Sequence, residues 1–245
     1  MPLPVITIPT TAGTGSEVTP YAVLSIKEKN TKKSFGNEAM MSPVYAFLDA
    51  SYTETMPPQV AADSAVDALS HGIEGYLSTK GNWISDMLGI TIFNNFRDCT
   101  DSLKNRIFNF EDREKLLFNS MLSGIMINHM RTLAVHAMSY PLSINRNLSH
   151  GCACGVLLGA FIEYVYSECS VKANKMFEAL GIKDTDSFTP LISSILKYKE
   201  DYTLEELERY TDESINAAAA KPNPKPLDRN AVLEIYIRSL MHDSR

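Results

Sequence analysis

The chain predicts a mainly α protein, in which a short β-rich leading segment precedes a long all-helical domain. Three observations carry that reading. The β-branched runs fall within the first fifty residues, the texture changes at Met56-Pro57-Pro58, and beyond that step apolar residues recur at helical spacing almost to the end. The boundary therefore falls after Met56, dividing the chain into 1–56 and 57–245.

Within the leading segment, Pro4–Ile8, Ala22–Ile26 and Val44–Leu48 are short runs rich in β-branched and aromatic residues and bounded by turn formers, so three strands are expected. Between the first two lies Pro9-Thr-Thr-Ala-Gly-Thr-Gly-Ser-Glu17, dense in hydroxyls and glycine. Glycine lets backbone approach a ligand closely, and free N–H groups with Thr and Ser hydroxyls donate well to phosphate oxygens. The loop lacks the Gly-Lys-Ser/Thr of a P-loop and the third glycine of the dinucleotide fingerprint. Its residues fit a phosphate cradle and a tight solvated turn equally. Lys27–Lys33 reads as a solvated, hairpin-like connection.

In the second segment, Pro57 and Pro58 suit a helix start, where the first N–H groups have no partner in any case. Helices are expected over Gln59–Ser78, Ile84–Leu103, Asp112–His129, Val156–Ser167, Lys172–Leu180, Phe188–Tyr198, Leu204–Ala220 and Asn230–Leu240, the last capped by Asp228. In the first of these Val60, Ala65, Leu69 and Ile73 form an apolar stripe, with Asp63, Asp67 and His71 on an adjoining one.

Composition narrows the class of function. At 245 residues and 44% apolar content the chain can bury a substantial core. Its 23 basic and 29 acidic residues, net −6, leave no basic stripe to track phosphates, so small solutes are expected as partners rather than nucleic acid. The longest apolar runs, such as Gly151–Phe161, read as too short for a membrane span, and the start lacks a secretory pattern, which gives a cytoplasmic expectation. Cys99, Cys152, Cys154 and Cys169 show no disulfide framework; Cys152 and Cys154 read as small apolar residues packed in a helix.

Asp67 and His71 stand four apart on one helix face, within the reach of a single ion. Asp63 is also four residues from Asp67, so spacing does not decide which acid is the ligand. Of five histidines, His129, His136 and His150 cluster in one window. Asp with several imidazoles is a donor set suited to Fe(II), Zn(II), Co(II) or Mn(II). The residues alone support one metal site between helices, and equally a set of separate core histidines.

Taken together, Pro9-Thr-Thr-Ala-Gly-Thr-Gly-Ser-Glu17, Asp67-Ala-Leu-Ser-His71-Gly-Ile-Glu74, Val135-His136-Ala-Met-Ser-Tyr-Pro-Leu142 and Ser149-His150-Gly151 strongly resemble the iron-containing (group III) alcohol dehydrogenase family, in order and in spacing. The resemblance implies an α/β nucleotide-binding domain followed by an all-helical metal domain, the fold of the dehydroquinate synthase-like superfamily. It assigns the metal, and catalysis through it, to Asp67, His71, His136 and His150, leaving out Asp63 and His129. It also implies cofactor contacts from Thr10, Thr11, Thr14, Gly15 and Ser16. The implied activity is NAD(P)-dependent alcohol dehydrogenation of a small alcohol or aldehyde. Fe(II) is expected, with Zn(II) second, NAD or NADP as cofactor, and a homo-oligomer as a further expectation. The alternatives are an inactive metal-binding fragment or assembly module, and a non-redox lyase on the same fold.

This chain departs from the family pattern in several places. Family members carry about half a nucleotide-binding domain before the Thr-Gly loop, including a Gly-Gly-Gly-Ser diphosphate turn, so the chain resembles a truncated enzyme. Tyr140 stands where a second histidine is usual and reads as a packing residue. His129 takes a position often filled by Asn, and Arg131 and Leu133 replace residues that are usually small.

Overall fold

The protein is described by a computed structural model over residues 3–26 and 31–241. The leading segment contains β1 (Ile6–Thr7), β2 (Tyr21–Ile26), β3 (Thr31–Gly36), the one-turn helix α1 (Glu38–Met41) and β4 (Tyr45–Ala46). Two two-stranded sheets form: β1 pairs with β4 in parallel, Ile6 opposite Tyr45, and β2 pairs with β3 antiparallel, Tyr21 opposite Gly36. Residues 31–33 are thus strand rather than loop, because Thr31 and its neighbours find backbone partners along β2. Residues 27–30 of the expected connection lie outside the described residues.

The mainly α expectation holds. After the leading segment come α2 (Pro58–Leu77), α3 (Trp83–Asp98), α4 (Thr100–Asn105), α5 (Phe110–Met130), α6 (Ala134–Asn145), α7 (His150–Leu180), α8 (Thr185–Leu196), α9 (Leu204–Ala219) and α10 (Arg229–Leu240). Sequence chemistry marks the ends. Capping boxes start α3 at Asn82, α5 at Asn109 and α9 at Thr203, and the Asp228 side chain accepts from Ala231 N at the start of α10.

Helix α2 is the axis of the domain, packed against α3, α5, α7 and α8. Instead of one apolar stripe it is buried all round from Ala65 to Leu77, as befits a helix enclosed by others. The polar groups it takes inside are therefore held by partners: Ser70 Oγ donates to Asp67 O at 2.7 Å, and Ser123 Oγ of α5 donates to Ala68 O at 2.8 Å.

Besides the unexpected turn of α1 and the division of the expected Ile84–Leu103 helix into α3 and α4 at Cys99, two helices differ from expectation. Helix α6 has no counterpart in the sequence reading because Pro141 stands inside it and masks the periodicity. Helix α7 joins two expected helices and begins at His150; a kink with non-helical φ/ψ at Cys169 marks the anticipated break, and the Cys169 thiol turns back to Val165 O at 3.2 Å. At 31 residues α7 is also long and apolar enough to cross a membrane, contrary to the expectation, but 56% of its apolar window is buried inside this fold, where it packs against α2, α3, α6, α8 and α10.

Candidate metal centre and cofactor cleft

Three helices bring the expected ligands together. Asp67 and His71 come from the middle of α2, His136 from the first turn of α6 and His150 from the first residue of α7. Close backbone approach makes this possible: at Gly151 a Cβ would meet Asp63 O at 1.8 Å, so α7 lies on α2 as only glycine permits. Ser149 supports the same junction, capping α7 through Cys152 N and donating to Asp63 Oδ2 at 2.7 Å. Asp63 is thereby occupied, also accepting from Gln59 Nε2 at 2.8 Å, while His129 is exposed on α5. Neither stands in the cluster.

Donor atoms of Asp67, His136, His150 and Cys154 all lie within 4.8 Å of one another. His136 Nε2 is 3.8 Å and His150 Nε2 3.7 Å from Asp67 Oδ1, and the His71 ring stacks on His136 with centroids 4.4 Å apart. These separations are too long for hydrogen bonds yet short enough for one ion at about 2.0 to 2.3 Å from each donor. Two buried ring nitrogens, His71 Nδ1 and His136 Nε2, have no hydrogen-bond partner among the described residues. Buried polar atoms left so are rare, and a bound cation satisfies them; the residues fit a divalent metal.

Electrostatics favour the same arrangement. Burial, opposed by Asp67, drives the His71 pKa down to about 4, so its ring is neutral and has a lone pair to offer at pH 7. His136 is clamped from behind: its Nδ1 donates to Glu74 Oε2, and its backbone N–H donates to Glu74 Oε1 at 3.3 Å. Burial alone would raise Glu74, but the charge of His136 outweighs it and holds the carboxyl below its usual range. Burial would lower His136, but Cys154 and Glu74 raise it well above the usual imidazole value, so Nδ1 keeps its proton toward Glu74 and Nε2, facing Asp67, is the nitrogen whose proton an ion would displace.

Sequence reasoning assigned no role to Glu74 or Cys154, although the signals were present. Glu74 is seven residues after Asp67 and three after His71, hence on the same helix face. Cys154 is one turn beyond His150, with Sγ 4.0 Å from both ring nitrogens, so it is more than an apolar filler. Burial would raise its thiol, but the His136 and His150 imidazoles hold it below the ordinary value. Among the described residues all four cysteines are free thiols, as the spacing implied.

The cluster forms the floor of a cavity of about 490 Å³ whose opposite wall is the leading segment. Tyr21, Ala22, Val23 and Ser34 of the β2–β3 hairpin face Asp67, His71, His136 and His150, with Thr14 and Ser16 at the rim and Tyr140, Arg131 and Lys221 alongside. The Thr-Gly loop divides by function. Thr14 and Ser16 share a hydroxyl contact of 2.8 Å and open on the cavity, whereas Thr10 and Thr11 are exposed and do not line it. Gly15, at φ +60°, sits on Gly124 of α5 and gives its N–H to Ser120 Oγ at 3.1 Å, so it shapes the loop and has no free donor. Tyr140 lies beside His150, ring centroids 6.2 Å apart, and burial raises its pKa, which keeps the hydroxyl protonated.

The chain is similar to known proteins along most of its length. The family model for the Fe-containing alcohol dehydrogenase family, C-terminal, matches residues 61–240, and that for iron-containing alcohol dehydrogenase matches residues 1–50. Long-chain-alcohol dehydrogenase 1 from Geobacillus thermodenitrificans is 32% identical over 245 residues, covering 99% of this chain and 57% of that protein. The crystal structure of an iron-containing alcohol dehydrogenase from Thermotoga maritima has a TM-score of 0.86 at 34% identity, covering 97% of this chain and 64% of that one. Sulfoacetaldehyde reductase from Bifidobacterium kashiwanohense, solved with NAD+, has a TM-score of 0.82 at 26% identity, covering 98% and 66%. This chain therefore spans less than two thirds of the length of the first two. With one family model matching most of its length, the chain belongs to the iron-containing alcohol dehydrogenase family.

Proposed function

We propose that the chain forms the metal and substrate half of a nicotinamide-dependent alcohol dehydrogenase, with Fe(II) as the preferred ion, Zn(II) as the second, and a small alcohol or aldehyde as substrate in the cytoplasm. The observation that carries this reading is the pair of buried imidazole nitrogens, His71 Nδ1 and His136 Nε2, left without hydrogen-bond partners beside Asp67 at the floor of an open cleft. The relative solved with NAD+ supports the choice of cofactor.

Asp67, His71, His136 and His150 would hold the ion. When bound, a divalent ion supplies Lewis acidity to the substrate oxygen, and the nicotinamide supplies or accepts the hydride. The chain's own groups orient and exclude. Glu74 locks the tautomer of His136, so its Nε2 remains a donor. Tyr140 presents a neutral hydroxyl beside His150. Thr14 and Ser16 offer hydroxyls to the cofactor from the rim, and the hairpin wall narrows the cleft to exclude water where charge develops.

The test is anaerobic loading with Fe(II), metal analysis, and NADH oxidation with a short aldehyde. His71→Ala is expected to lose metal retention and turnover together, and unchanged metal content in that variant would remove His71 from the site. Metal bound without turnover would identify a metal-binding part alone; turnover of substrate without net redox would identify a lyase.

A further inference from the structure

The cleft holds two cations that the metal chemistry does not use. Arg131 and Lys221 line the same cavity as the metal cluster, and neither forms an ion pair among the described residues. Asp67 is the one carboxylate among the lining residues, and it belongs to the metal site.

Each cation is anchored at one end, Arg131, whose side chain is exposed, by its backbone, and the half-buried Lys221 by its ammonium. Arg131 caps α5 with φ 61° and ψ 169°, a region nearly reserved for glycine. Backbone strain of this kind collects at ligand clamps. Lys221 Nζ donates to Thr132 Oγ1 at 3.2 Å. Its segment is tied to the first residue of α6 by Asn223 Oδ1, which accepts from Ala134 N at 3.0 Å, two residues before His136. Burial lowers the Lys221 pKa; the charge of Glu74 opposes that effect and the charge of Arg131 adds to it. Two like charges thus line one cleft, near enough for Arg131 to act on Lys221, with Glu74 as the opposing charge that reaches Lys221. An anion between them would relieve both the repulsion and the desolvation.

We propose that the substrate is a hydroxy acid or oxo acid, an alcohol or aldehyde bearing a carboxylate or sulfonate that Arg131 and Lys221 bind while its oxygen faces Asp67, His71, His136 and His150. This rests on the alcohol dehydrogenase reading and sharpens it to a substrate class. Charge-assisted pairing of this kind separates an anionic ligand from its neutral analogue by about ten- to a hundredfold.

The experiment titrates Co(II)-loaded protein with a short series of ω-hydroxycarboxylates and the 1-alkanols of equal chain length. Calorimetry reads affinity, and the cobalt visible spectrum reports an oxygen donor entering the site. The expected result is at least tenfold tighter binding of the hydroxycarboxylate of matching length. In Arg131→Gln and Lys221→Met that preference falls toward parity, and Lys221→Arg restores it. Parity in the unsubstituted protein, with the spectrum still responding to both series, overturns the substrate class and leaves the dehydrogenase reading standing. A Co(II) spectrum that responds to neither series overturns both. If the charge variants instead weaken NADPH and leave the hydroxycarboxylate preference intact, the cations belong to the cofactor and the proposal fails.

Discussion

Glu74 is a carboxylate with no exposure in the middle of α2, and it stays ionised because His136 attracts its charge and donates two hydrogen bonds to it. Its task follows from where it stands: it fixes which nitrogen of His136 carries the proton, and so which one is left for the ion. Carboxylates behind a ligating histidine typically contribute about 10- to 100-fold in metal affinity. Glu74→Gln keeps an acceptor of the same shape and removes the charge. It should weaken Co(II) or Zn(II) retention within that range in chelator competition, with a melting curve close to that of the parent. Glu17 presents the opposite case. It is buried on the turn Ser16–Val18 with Oε1 lacking a hydrogen-bond partner among the described residues, and burial raises its pKa above the ordinary 4.5, only partly offset by a backbone hydrogen bond. The folded carboxyl therefore ionises later than the unfolded one, which costs stability once the pH is above 4.5. Glu17→Gln should raise the melting midpoint by a few degrees at pH 7. That gain should shrink as the pH falls through the raised folded value and vanish below 4.5, where both states are protonated. A gain independent of pH would show that packing, not charge, sets the effect.

At the level of elements, the site depends on how closely α7 lies against α2. Gly151→Ala puts a methyl group into the Asp63 backbone, with Asp63 O at 1.8 Å and Asp63 C at 2.7 Å, and neither atom can swing aside as a side chain could. The first turn of α7 must retreat, carrying His150 away from Asp67. The expected cost is about 1 to 3 kcal/mol in urea unfolding, together with a loss of bound metal larger than the stability loss alone explains. Metal retention equal to the parent's would mean that the helix start can yield without moving His150. Most of these elements were legible in the sequence. The runs of helical period after Met56 announced α2, α3, α5, α8, α9 and α10, and Asp228 announced the last start, because capping and burial are local signals. Helix α6 was not legible: Pro141 hides the period in a segment that is helical because its neighbours enclose it. Strand β3 was missed altogether for a related reason, since its residues are strand only by pairing with β2, Lys32 and Lys33 opposite Ser25 and Leu24. Spacing could bring Asp67 and His71 to one helix face, but left Asp63 as an equal candidate that only the family resemblance set aside. The convergence of α2, α6 and α7, and the arrival of Lys221 from a distant loop, depend on tertiary contacts that no short window of sequence contains.

At the scale of the whole molecule, the two walls of the cleft differ in how much of their own structure they carry. The helical wall has a continuous core from α2 to α10. The opposite wall is thin: β1 and β4 form a two-residue parallel pair, with Ile6 58% and Tyr45 64% exposed, whereas parallel strands are ordinarily covered on both faces. Its cavity-facing donors from the Thr-Gly loop are Thr14 and Ser16, the Gly15 amide being spent on Ser120. A protein made of these residues should hold a divalent ion, since Asp67, His71, His136 and His150 all lie on the helical wall. Its hold on NADH should be weak, because the Thr-Gly loop brings only the Thr14 and Ser16 hydroxyls to the cleft. Fluorescence titration of NADH beside metal analysis on the same sample separates the two halves. Tight NADH binding would show that the hairpin wall, with Thr14 and Ser16, is enough of a cofactor site by itself. Metal lost along with NADH would show that the helical wall needs the leading segment to keep α6 and α7 closed on α2.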